Sequence, residues 1–260
     1  MSATIDYLLH RADNAVVLGQ RDAEWCGHGP ILEEDLALAN VSLDLIGQAR
    51  LLYQRAAELK GDGTTEDQLA YFRDSQAFRN YTLLELPHHG ALVGYAVADR
   101  DYAATIVRNF LYSALMVHVW DALQTSADST LAGIAAKSLK EATYHLHHSR
   151  DWLVRMGDGT DESHARAQAA VNHLLPYTEE FWTVSPAETA AVEAGVGVDV
   201  RTLRAAWDAL VNDALAEATL TRPQVRGYVP QGKVGLHSEH LGFLLAEMQS
   251  LARAHPDGCW

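Results

Sequence analysis

Residues 31–60 read ILEEDLALANVSLDLIGQARLLYQRAAELK. Leu38, Leu45, Leu52 and Leu59 recur seven apart with Val41 and Ala56 beside them, which lays an apolar stripe along one long helix. Leu32, Leu36, Leu43 and Ile46 form a second stripe on that helix, so it is expected to pack against several neighbours. Nothing in the stretch alternates with the period of two that a half-buried strand requires. A helix this long with two apolar faces points to an all-α, long-helix bundle.

Outward from it, helical periodicity is nearly continuous. Further helices are expected at about 4–20, 65–86, 90–126, 129–156, 161–183, 186–194, 200–220 and 238–254. Gly61 and Gly157 each follow a helix and suit the left-handed C-cap position. Both open a Gly-Asp-Gly-Thr tetrapeptide, but no strand precedes either, so they read as helix terminators rather than phosphate loops. Ser185, Pro186 and Glu188 supply an N-cap, a first-turn proline and a capping Glu. The irregular stretch 221–236, with Pro223 and Pro230, is expected to wrap over the surface. No linker divides the chain, so residues 1–260 are taken as one domain.

Composition narrows the function. The chain carries 20 Lys and Arg against 34 Asp and Glu, a net charge of −14. That field disfavours nucleic acid and anionic membranes as partners. Two cysteines, Cys26 and Cys259, cannot build a disulfide framework. The first residues lack the basic and apolar regions of a signal peptide, and no apolar run is long enough to span a bilayer, so a cytoplasmic protein is expected.

Thirteen histidines in an acidic helical chain raise the question of a metal. A four-helix di-iron site takes a Glu from each of two helices and a Glu-x-x-His pair from each of the other two. Only Glu85-Leu-Pro-His88 has that spacing, and Pro87 is expected to end the helix before His88 completes the turn. Asp161 and His164 are three apart but open a helix, where Asp161 reads as a cap. On the helix at 129–156, Glu141, His145 and His148 share a flank, but Glu141 and His145 are four apart and Tyr144 stands where the motif needs His. His237 and His240 are three apart, with a His where a carboxylate is required. Asp44, on a polar stripe with Asn40 and Gln48, and Asp74 read as solvated, while Asp121 shares a face with Phe110, Ala114 and Val117 and is expected to be partly buried. These residues look like a di-iron site with pieces missing. The plainer expectation for them is half-buried histidines satisfied by neighbouring carboxylates. No nucleophile elbow, Cys-x-x-Cys, Walker loop or dinucleotide fingerprint occurs.

Several blocks carry a family resemblance. They are Arg21-Asp-Ala-Glu-Trp-Cys-Gly-His-Gly-Pro, Leu32-Glu-Glu-Asp-Leu-Ala-Leu-Ala-Asn, Leu43-Asp-Leu-Ile-Gly-Gln-Ala-Arg, Lys140-Glu-Ala-Thr-Tyr-His-Leu, Thr202-Leu-Arg-Ala-Ala-Trp, Gly235-Leu-His-Ser-Glu-His-Leu and Leu245-Ala-Glu-Met-Gln. In this order they resemble the C subunits of bacterial phenylacetyl-CoA 1,2-epoxidases. The resemblance implies a ferritin-like fold and a non-catalytic, structural subunit with a degenerate site, comprising Asp44, Glu85, His88, Asp121, Glu141, Tyr144, His145, His237 and His240. It further implies no cofactor in this chain, a di-iron centre in a partner A subunit, and a reductase component drawing electrons from NADPH. The product implied is the ring epoxide of phenylacetyl-CoA, in aerobic phenylacetate breakdown.

Coenzyme A is polyanionic, so a chain at −14 must gather basic residues wherever it meets one. Arg73 and Arg79 on the expected helix 65–86 make a compact candidate, with Ala77, Phe78, Arg79 and Asn80 as the contact segment. The surplus of apolar helix surface predicts pairing, with itself when isolated and with the catalytic subunit otherwise. The alternative is a self-sufficient di-iron oxygenase using Glu34 or Asp44 with Glu85, His88, Asp121, Glu141 and His145. A plain helical interaction module is the third possibility.

Overall fold

The computed structural model describes residues 3–89, 100–224, 227 and 229–258. Among them the chain is all-α, with one isolated antiparallel bridge between Gln231 and Leu236. The all-α, ferritin-like class expected from the periodicity and the resemblance stands. Two compact units divide the chain: 1–86 with 185–197 and 230–260, and 87–184 with 198–229.

The first unit is built on α1 (Ala3–Ala23) and α2 (Leu32–Lys60). They run antiparallel, since Ser42 Oγ donates to the Gly19 carbonyl at 2.7 Å while Tyr53 donates to Asp13 at 2.6 Å. Leu38, Val41, Leu45, Leu52 and Ala56 are buried, as the heptad spacing predicts. The second stripe differs from expectation. Leu32 and Leu43 are 72% and 67% exposed, and Leu36 and Ile46 are exposed with them, so that face is largely open among the described residues. At the end of α2, Gly61 is left-handed (φ 64°) and its N–H donates to the Ala57 carbonyl, as its C-cap reading requires.

The expected helix 65–86 is broken into α3 (Glu66–Tyr71), a 3₁₀ turn (Ser75–Ala77) and α4 (Thr82–Glu85). Polar side chains buried in α1 take the backbone groups that a continuous helix would pair with itself. Asp13 accepts from the Arg79 N–H at 2.8 Å, Asn14 accepts from the Tyr81 N–H at 2.7 Å, and the His10 ring lies 2.6 Å from the Arg79 carbonyl. Arg73 donates to Asp13 and stacks over Phe78 at 4.4 Å. Two later helices complete the unit, α8 (Pro186–Glu193) and α10 (Glu239–Ala254). The Ser185–Glu188 capping box opens α8 as expected.

The second unit holds α5 (Tyr102–Leu123), α6 (Ser129–Gly157), α7 (Asp161–Leu174) and α9 (Arg204–Glu217). Residues 90–99 of the expected helix 90–126 lie outside the described residues; α5 starts at Tyr102, capped by Asp101. It is buried almost all round and forms this unit's core. Trp207 packs against Phe181 and Trp182 and donates its indole N–H to the Leu111 carbonyl at 3.1 Å. The expected helix 161–183 turns 3₁₀ at Leu175–Trp182, where Pro176 removes a donor. Gly157 is not a left-handed cap: it ends α6 in helical geometry. Its missing side chain instead admits the Ala218 carbonyl, which a Cβ would meet at 2.1 Å. Thr160, not Asp161, caps α7.

Candidate functional site

Glu85 ends α4 wholly buried. Its Oε2 accepts from Asn80 Nδ2 at 2.9 Å and from His237 Nδ1 at 2.8 Å, and its Oε1 accepts from the Ser238 N–H at 2.5 Å. His237 Nε2 stands 3.0 Å from the Phe78 carbonyl. Both ring nitrogens are therefore taken up by oxygens of this chain, the Glu85 carboxyl and the Phe78 carbonyl. Arg21 joins the same corner, donating to the carbonyls of Glu85 at 2.7 Å and His240 at 3.3 Å. Glu85 thus fixes the start of α10, whose cap residue Ser238 makes no side-chain cap bond of its own. Sequence spacing singled out Glu85 and His237 separately; the fold joins them across 152 positions.

This arrangement does not suit a resident metal. The Glu85 oxygens already accept three hydrogen bonds, and both His237 nitrogens are already engaged by oxygens of this chain. α4 ends at Glu85 and Leu86 is extended, as Pro87 dictates, so Glu85 and His88 are not one helical turn apart. His88 is buried in the second unit, 2.6 Å from Thr105 Oγ1 and 3.0 Å from Arg108 Nη2. On α6, Glu141 is held by Lys137 at 2.8 Å, His145 is buried, and Tyr144 is 53% exposed and stacked on His148. Asp44 is half-buried. Asp121, expected to be partly buried, is exposed and accepts from Gln124. Asp74 is exposed and pairs with Arg253. Among the described residues no three His, Cys, Asp or Glu side chains form a metal-holding group.

The segment 77–80 divides. Phe78 and Asn80 are fully buried and cannot touch a ligand, whereas Ala77 and Arg79 line a cleft of about 690 Å³ in the first unit. Sequence reasoning missed a second buried cluster. Glu188 pairs with Lys233 at 2.8 Å and stands 3.9 Å from both Arg11 Nη2 and His10 Nε2, with every side chain almost fully buried. Burial works to raise the Glu188 pKa, but the charges of His10, Lys233 and Arg11 overcome it and hold the carboxyl at about 2. Burial, reinforced by Arg11, lowers the His10 pKa to about 3. Lys233 lies in the stretch expected to wrap over the surface; instead it points inward.

The whole chain, residues 1–260, matches the family described as phenylacetic acid catabolic protein. The chain belongs to that family. It is also 47% identical, over 260 residues and the full length of both chains, to the C subunit of the 1,2-phenylacetyl-CoA epoxidase of Escherichia coli (strain K12). The resemblance carried by the sequence blocks is thereby shown over the full chain. Among the described residues no helix is long and apolar enough to cross a membrane.

Proposed function

We propose that the chain is the structural, non-catalytic subunit of a phenylacetyl-CoA 1,2-epoxidase complex, working in the cytoplasm in phenylacetate breakdown. The relative's name places that protein in such an assembly. The observation that carries the reading is Glu85: the one acid on a Glu-x-x-His spacing is committed to His237, Asn80 and Ser238. The di-iron centre then belongs to the partner A subunit, and a reductase supplies its electrons. Reconstitution tests this directly: epoxidation must require the A subunit and survive substitution of Tyr144 or His145 here, and turnover by this chain alone sinks the proposal.

The partner's seat is the exposed stripe Leu32, Leu36, Leu43 and Ile46 on α2. An apolar face of this kind in a soluble protein calls for a cover. The A subunit covers it in the complex, burying more than about 1,000 Å² in total, and a second copy covers it in the isolated protein. Leu36→Glu with Leu43→Glu should abolish co-purification with the A subunit while leaving helix content intact; unchanged association removes α2 from the interface. The two units are drawn from alternating segments of the chain. We therefore read them as one domain that unfolds in one transition.

A further inference from the structure

The cleft lined by Ala77 and Arg79 has features that the structural role leaves unused. It lies wholly in the first unit and opens to solvent, and its volume of about 690 Å³ is in the range of small-molecule sites. Of its cations, Arg73 is spent on Asp13 and Lys60 lies 3.4 Å from Asp62. Arg79 differs. Its Nη1 donates to the carbonyls of Gln76 and Phe78, both at 2.7 Å, and no carboxylate among the described residues forms an ion pair with it. Gly235 makes room for it: the glycine is left-handed (φ 87°), and a Cβ there would stand 2.7 Å from Arg79 Nη1. The guanidinium is therefore held in place before any ligand arrives, with no ion-pair partner among the described residues.

Two further features specify the ligand. Phe72 lines the cleft and is 39% exposed, which offers a flat aromatic face for a planar base. Asp6 and Asp257 also line it, so a simple anion is disfavoured while a ligand with both a phosphate and N–H donors is suited. An adenine nucleotide has this mixture: phosphate for Arg79, a ring for Phe72, and an exocyclic amine for a carboxylate. We propose that this cleft binds the phosphorylated adenosine end of a coenzyme A thioester. The assignment rests on the epoxidase-subunit reading for the choice of coenzyme A among adenine nucleotides. The cleft then serves as a tether that holds the carrier's nucleotide while its acyl end leaves through the open side.

Calorimetric titration of the full chain with coenzyme A, 3′-dephospho-coenzyme A, ADP and inorganic phosphate tests this. Coenzyme A should bind, with 3′-dephospho-coenzyme A weaker by about tenfold and inorganic phosphate weaker still. Arg79→Glu should weaken coenzyme A by about tenfold or more, and Phe72→Ala, at an exposed position that leaves the fold intact, by several-fold. Circular dichroism checks that Arg79→Glu folds; if it does not, Phe72→Ala and the milder Arg79→Gln decide. No binding of coenzyme A up to about 1 mM overturns the proposal, as does binding that ignores these substitutions or is matched by inorganic phosphate. Co-purification with the A subunit, measured on the same proteins, reports the structural role separately, so failure of the cleft and failure of that role are told apart.

Discussion

Replacing Glu188 by Ala should leave two buried cations, Lys233 and Arg11, facing each other without their shared carboxylate. Glu188 is also the third residue of the α8 capping box, where its side chain accepts from the Ser185 N–H at 2.9 Å. Breaking a buried ion pair from one side removes about 3–5 kcal/mol. Loss of the capping contact adds about 1 kcal/mol. Against a total stability of roughly 5–15 kcal/mol, a loss of about 4–6 kcal/mol is a large share. Glu188→Gln separates the two parts, because it keeps an acceptor for Ser185 and removes only the charge. Urea denaturation followed by far-ultraviolet circular dichroism reads the midpoint for both variants. We expect Glu188→Ala to lose the most and Glu188→Gln to lose most of that amount. Lys233→Met with Glu188→Gln should recover part of it, since an apolar replacement no longer leaves a buried charge unpaired. A Glu188→Gln midpoint equal to that of the wild type would refute the reasoning.

The same cluster sets a pH dependence. His10 has its pKa lowered to about 3 in the fold, chiefly by burial, against 6.5 when unfolded. The unfolded chain takes a proton below 6.5 that the folded chain refuses, so this contribution is complete above pH 6.5 and is lost progressively as pH falls towards 3. The slope from this one group is at most about 1.4 kcal/mol per pH unit, and His10→Gln should flatten it. The contribution of Glu188 runs in the same direction but lower: it is present above 4.5 and lost as pH falls towards 2. At Glu85, substitution by Ala should free the start of α10, seen as faster amide exchange at Ser238 and the first turn beyond it; protection equal to wild type would show that Ser238 is held otherwise. Tyr144→His restores the motif spacing on α6, yet iron content should stay at background because position 144 faces solvent.

What sequence reading captured and missed follows from the range of the interactions. α2 and the Ser185–Pro186–Glu188 start of α8 depend on neighbours within a turn, so periodicity and capping chemistry found them. The 65–86 segment has helical periodicity too, yet its backbone bonds go to His10, Asp13 and Asn14 of α1, about 66 residues away in the case of Asp13. No local pattern marks such a capture. Lys233 was misplaced for the same reason: a lysine among glycines and prolines reads as surface until the Glu188 carboxylate is seen facing it. The candidate site was legible as residue types but not as pairings, since Glu85 and His237 were each assigned other partners by spacing. The exposed α2 stripe was legible as apolar, but its exposure emerges only from the fold.

The central claim is that this subunit supports chemistry it does not carry. Iron analysis of the chain purified from iron-supplemented cells, alone and in complex with the A subunit, tests it most directly. We expect no stoichiometric iron in the chain alone, with iron and epoxidation appearing together only when the A subunit is present. Close to two irons per chain in the isolated protein, with oxygen-dependent turnover, would contradict it.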